Sequence, residues 1–170
     1  MPGEALAIYL NDHLAGSVAA LELIDGLLAH EEGRPLERTL IGLRQEITQD
    51  QETLSGILSQ LDADESALKR AAAWLAEKAG RAKLSLAARE HPALARLEGL
   101  ESLALGIQGK AGLWRALAEV ATHDARLGGH QFGTLEIRAV AQHAIVERER
   151  IAAAREALVQ RSGPGEAFPG

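Results

Sequence analysis

The chain has 170 residues and a formal net charge of −6. That is enough for one domain with a real core, and its acidity disfavours nucleic acid or an anionic membrane as a partner. Apolar residues make up 46% but aromatics only 3%, so alanine, leucine and isoleucine must build the core, which suits close-packed helices better than a sheet.

Cysteine is absent, which excludes disulfides, thiolate catalysis and zinc–thiolate sites. The amino-terminal MPGEALAIYL has no basic region ahead of an apolar run, and no stretch approaches the ~20 apolar residues of a membrane span. The expected protein is soluble and cytoplasmic, with no nucleic-acid or membrane partner.

A first helix is expected from about Glu4 to His30, with Gly33 just beyond it as a stop signal. Leu6, Leu10, His13, Leu14, Ser17, Leu21, Ile24 and Leu28 share one face, which turns His13 and Ser17 inward. The second helix opens at Pro35, a first-turn proline, and ends near Leu61. Its seam of Leu36, Leu40, Leu43, Ile47, Leu54, Ile57 and Leu61 is broken at one position by Asp50. A carboxylate facing a bundle core needs a partner. The short connection makes these two helices antiparallel neighbours.

Asp64 fits an N-cap for a helix running to His91 with one interruption at Gly80. At ~1.5 Å per residue this segment spans a bundle, so it reads as a crossover between the second and third long helices. The third long helix is expected from Pro92 to about His123, with an inner seam of Leu97, Leu100, Ala104, Ile107, Ala111, Trp114, Ala118 and Ala121, flanked by Leu103 and Leu117. Gly99, Ser102, Gly106 and Gly109 form a smooth stripe away from that seam. It serves either close approach of the alanine-rich crossover or a groove for a ligand or second subunit.

HDARLGGHQFG, residues 123–133, reads as a turn, and Thr134 as the N-cap of a last helix to about Arg161. The inner face of that helix is unusually polar: Leu135, Arg138, Ala139, Gln142, Ile145, Val146, Glu149, Ala152 and Ala153. The fold class expected is all-α, an antiparallel four-helix bundle with a helical crossover. Residues 1–161 would form a single domain and residues 162–170 a disordered tail.

Equal rise along antiparallel helices places His13 level with Asp50, and a crossover brings Arg138 and Gln142 to the same height, near Trp114. The expected candidate site is therefore one buried polar layer of His13, Asp50, Arg138 and Gln142. It admits two readings. One is structural, a buried polar set that fixes bundle register; the other is a small-molecule or metal site.

Carboxylate-bridged di-metal centres in bundles need Glu-x-x-His on two helices. The motif occurs nowhere here: Gln49 follows Glu46, Ala104 follows Glu101 and Ala139 follows Glu136 at that spacing. His143 and Glu147 are four apart but point outward, and His13 with Asp50 would be short of ligands, so no metal and no cofactor are implied. Nor is there a phosphate-binding loop or a Gly-x-Ser-x-Gly nucleophile turn. His30, His91, His123 and His130 fall at helix ends or in turns, where histidine caps carbonyls or faces water.

YLNDHLAG (Tyr9 to Gly16), AWLAEKAGR (Ala73 to Arg81) and GKAGLWRAL (Gly109 to Leu117) resemble an uncharacterised bacterial family of short helical proteins. The resemblance extends from Tyr9 to about Leu158. It implies a ferritin-like architecture, with a long crossover joining the second and third helices and without the di-metal ligands. It implies no activity. The functional expectation is a non-enzymatic bundle acting through protein contacts, as a homo-oligomer or with another protein. The alternative is a degenerate ferritin-like protein that binds a ligand or metal at the polar layer, distinguished by an open cavity there.

Overall fold

The computed structural model describes residues 2–61 and 91–159. Among the described residues the fold is all-helical, with no strand. Four long helices carry it: α1 (Pro2–Leu28), α2 (Pro35–Gln60), α3 (Pro92–Ala121) and α4 (Phe132–Leu158), with a single 3-10 turn at Ala125–Leu127. The crossover expected after Asp64 lies outside the described residues, apart from His91 next to α3, and so does the tail expected after Arg161.

The helix starts follow local chemistry. Pro35 and Pro92 open α2 and α3, where a missing N–H costs nothing. Between α1 and α2 the chain turns at Gly33, whose φ of +73° suits glycine; its N–H donates to Glu37 in the first turn of α2. Thr134 does not cap the last helix. α4 begins two residues earlier, at Phe132, without a side-chain cap from Gln131, and the Thr134 N–H donates to the Gln131 carbonyl. Phe132 is the reason: it is buried and stacks on Trp114 with ring centroids 6.3 Å apart, and that burial outweighs a threonine hydroxyl cap.

Side-chain pairs give the order of contacts. Between α1 and α2, Asp25 meets Arg44 and Ser17 meets Gln51, so residue numbers rise on one helix as they fall on the other. The same opposed order holds between α3 and α4 in Arg96–Glu156, Lys110–Gln142 and Arg115–Glu136, and between α2 and α4 in Glu46–Gln142 and Asp50–Arg138.

The apolar core falls into two parts. One gathers Ile24, Leu40, Leu43, Ile47, Leu100, Leu103, Ile107 and Val146. The other gathers Leu10, Leu54, Ile57, Leu113, Trp114, Leu117, Phe132 and Ala139. Sequence position shows what separates them. On α2 the break lies between Ile47 and Leu54, on α3 between Ile107 and Ala111, and on α4 between Ala139 and Val146. Asp50, Lys110 and Gln142 occupy these intervals, so a polar layer crosses the core near its middle.

Among the described residues Gly99 is the one glycine of the α3 stripe that lies against another helix: a Cβ there would come within 2.9 Å of the Leu27 side chain on α1. At Gly106, Gly109 and Gly112 a Cβ would meet none of the described residues within 4 Å.

Candidate functional site

Asp50 is the centre of the polar layer. Its place in the α2 seam turns it inward, and only 2% of its surface is exposed. Both carboxylate oxygens are used: Arg138 of α4 donates through Nη2 to Oδ1, and Lys110 of α3 donates through Nζ to Oδ2. Two cations from two helices thus hold one desolvated anion, which is how a buried charge becomes tolerable.

Gln142, also buried, links the next partners. Its carbonyl accepts from Lys110 and its amide donates to Glu46 at 2.7 Å. Arg138 reaches outward as well, to Gln49 Oε1 at 3.3 Å. The layer therefore ties α2, α3 and α4 together through directional bonds, with Asp50 and Glu46 balancing Lys110 and Arg138 in formal charge. Burial pulls the Lys110 ammonium below the ordinary lysine value, a pull that Asp50 opposes and Arg138 reinforces.

His13 stands apart from these bonds. Its ring packs edge-on against Tyr9, with centroids 4.7 Å apart. It shares a cavity wall with Asp50, but no hydrogen bond joins the two among the described contacts. The register explains this. An expected match of His13 with Asp50 assumes that Leu28 and Leu36 flank the turn symmetrically. Instead the chain past Leu28 continues through tight turns at His30 and Glu31. Ser17, a full turn beyond His13, then bonds Gln51 at 2.9 Å. Partial burial holds the imidazole below its ordinary value, with Asp12 opposing.

A cavity of about 70 Å³ opens beside the layer. α1 contributes His13, Gly16, Ser17 and Ala20; α2 contributes Ile47, Asp50, Gln51 and Leu54; α3 contributes Gly106, Ile107, Lys110, Leu113 and Trp114. Its walls are mostly apolar, with the charged layer at one side. The volume exceeds the ~10–15 Å³ a single water needs on this measure. Gly16 and Gly106 help form it, because neither has a side chain to fill the gap between α1 and α3. Trp114 is 1% exposed, and its indole N–H is buried without a hydrogen-bond partner, as is Arg138 Nε. A buried donor left unpaired costs ~1–3 kcal/mol, so the Trp114 and Arg138 donors each have a hydrogen bond still to be made.

Two contributors escape a reading of seams alone. Lys110 was not among the expected layer residues, yet it bonds both Asp50 and Gln142. Its signal is present: Leu103, Lys110 and Leu117 recur at intervals of seven, so a lone cation interrupts an apolar stripe just as Asp50 does on α2. The second is a separate ion-pair group at the end of the fold near the α1–α2 turn. There Glu31, its side chain 3% exposed, takes Arg96 of α3 and Arg34, and Arg96 also reaches Glu156 of α4. Glu31 lies in a turn, where helical periodicity gives no information.

His143 and Glu147 line a shallow surface cleft with Arg148 and Ile151, and Glu147 is engaged by Arg150 at 2.7 Å. Among the described residues no three His, Cys, Asp or Glu side chains converge so as to hold a metal ion. No helix among them is long and apolar enough to cross a membrane. Comparison with family models, with curated proteins and with solved structures finds no match to this chain.

Proposed function

We propose that this chain is a ferritin-like four-helix bundle whose polar layer serves a small-molecule binding site in place of a di-metal centre. The observation that carries this reading is the cavity beside Asp50 and Lys110. A layer with a purely structural role has no need of an adjoining void, since close packing there would add dispersion contacts. Apolar walls with a few convergent polar groups are the usual make-up of a ligand pocket.

The architectural part of the proposal rests on chain direction. α4 runs opposite to both α2 and α3 by the side-chain pairs given above, so α2 and α3 run the same way and touch at Asp50–Lys110. Two helices of like direction joined in sequence need a long return between them, which here is the segment expected as a crossover. Binding, rather than turnover, is the activity proposed, because the sequence carries no nucleophile or phosphate-loop motif.

A fragment screen observed by amide and indole NMR tests the site. Weakly binding fragments should shift the resonances of Ile47, Leu54, Ile107 and Trp114 together. A screen in which no fragment perturbs that group would sink the proposal.

A second reading, action through protein contacts, draws on the outer side of α4. Ile137, Val140, Ile151 and Leu158 are exposed there. Light scattering over a wide concentration range distinguishes it: a constant monomer mass counts against a homo-oligomer.

A further inference from the structure

We infer that the cavity between α1, α2 and α3 takes a short-chain monocarboxylate, its carboxylate on Lys110 and its alkyl chain against Ile107, Leu113 and Trp114. The inference rests on the binding function proposed above and specifies the class of ligand.

Three features of the site select an anion with an apolar tail. The first is the cation. Among the described residues Lys110 is the one positively charged side chain in the cavity wall, where Asp50 is its counterion. It spends two of its three N–H bonds on Asp50 and Gln142 and keeps one for a further acceptor. Arg138 lies behind it on the same carboxylate. Although Glu46 offsets the formal charge of the layer, its hydrogen bond goes to the Gln142 amide, not to either cation. Asp50 is thus the one carboxylate that hydrogen-bonds both cations, while Glu46 acts on Lys110 only through space.

The second feature is an unpaired donor. The indole N–H of Trp114, in the cavity wall, is buried without an acceptor; Nε of Arg138 is unpaired too but lies behind the layer, outside the wall. Carboxylates offer about four lone-pair sites and no donor, so they complement the Trp114 and Lys110 donors of the wall better than an alcohol or an amine. The other polar groups in the wall are already occupied or neutral. Ser17 donates to the Leu14 carbonyl and accepts from Gln51, and burial favours the uncharged form of His13.

Size is the third. At about 70 Å³ the void is roughly half the ~150 Å³ cavity that admits benzene. Acids of two to four carbons fit that space and aromatic acids do not. Ile47, Leu54, Ile107 and Leu113 then cover the alkyl chain.

The probes are propionate and its neutral isostere propionamide, titrated into the full-length protein in a carboxylate-free buffer. The Trp114 indole resonance and calorimetry serve as readouts. Propionate should saturate the site at least tenfold more tightly than propionamide. The Lys110→Met variant should lose at least tenfold in propionate affinity with propionamide affinity little changed. Gly106→Leu leaves the charged layer intact and fills the void, so it should abolish binding of both probes. It also keeps the test decisive should Lys110→Met not fold.

Equal affinity for the two probes, or full propionate affinity in a folded Lys110→Met, would overturn the carboxylate assignment and leave the cavity as a site. Saturable propionate binding that survives Gly106→Leu would place the ligand elsewhere and overturn the inference. If propionate, propionamide and every screened fragment leave Trp114 unmoved, the binding function falls along with its ligand.

Discussion

Lys110 and Arg138, on different helices, bind opposite oxygens of one carboxylate. That carboxylate, Asp50, is withdrawn from water and sits between the two halves of the apolar core. The arrangement makes the removal of each member unequal. Loss of Asp50 strands two cations, whereas loss of either cation leaves the anion one partner.

Asp50→Ala should therefore be the most damaging single change in the layer, at about 3–5 kcal/mol, the range for breaking a buried charge pair. In a chain of this length that lowers Tm by roughly 6–20 °C. Asp50→Leu with Arg138→Leu should recover only part of the loss, because Lys110 remains unpaired. Adding Lys110→Met should bring stability back to within ~1 kcal/mol of the parent or above it, since apolar replacement of buried ion sets is often neutral or stabilising. Chemical denaturation of the four proteins checks the order.

Much of this layer can be read from residue spacing. Asp50 shows itself because it breaks a seven-membered leucine–isoleucine seam, and Arg138 and Gln142 because the inner face of α4 carries too few apolar residues. Lys110 obeys the same rule on α3, between Leu103 and Leu117, but a seam drawn through Ile107 and Ala111 passes beside it. Height along the bundle is harder. An error of one helical turn in the α1–α2 register separates His13 from Asp50, because the turn after Leu28 adds length that no periodicity reports. Neither the cavity nor the buried Glu31 is legible in sequence, since each depends on how helix ends and small residues meet in space.

Glu31 gives a second prediction. Glu31→Gln should destabilise by about 2 kcal/mol, less than the ~3–5 kcal/mol of a fully buried pair, because Arg96 keeps Glu156. Arg115→Ala removes the pair with Glu136 on an exposed side chain and should cost under ~1 kcal/mol. Raising the salt concentration should erase the Arg115 effect and leave most of the Glu31 effect. Urea midpoints at low and high salt separate the two.

The glycines of α3 differ in what an added methyl would meet. At Gly112, in the interior of α3, the position is open among the described residues, so Gly112→Ala should stabilise by up to ~1 kcal/mol through helix propensity alone. At Gly99 the methyl would press on Leu27 at 2.9 Å, and Leu27 belongs to the packed core. Gly99→Ala should then show no gain or a net loss, because displacing a core side chain offsets the propensity term. Thermal melts of the two variants decide it, and a gain at Gly99 equal to that at Gly112 would mean that α1 and α3 are less closely packed than described.

His13 sets the last prediction, on pH. Burial lowers its pKa in the folded protein below the ordinary value of about 6.5, with Asp12 opposing. As pH falls from 7 through 6.5, the unfolded chain takes up this proton more readily than the folded one. Stability depends on the difference in protons bound, and it falls wherever the unfolded state gains more of them on acidification. The His13 contribution should therefore be lost as pH drops from about 7 through 6.5 toward the folded pKa, then stay constant below it. His13→Gln removes that component while retaining a polar side chain. The stability difference between parent and His13→Gln, measured by urea denaturation from pH 8 to pH 5, should shift against the parent over this window. A pH-independent difference would show that the imidazole titrates as freely in the folded protein as in the unfolded chain, and that its place beside the cavity does not desolvate it.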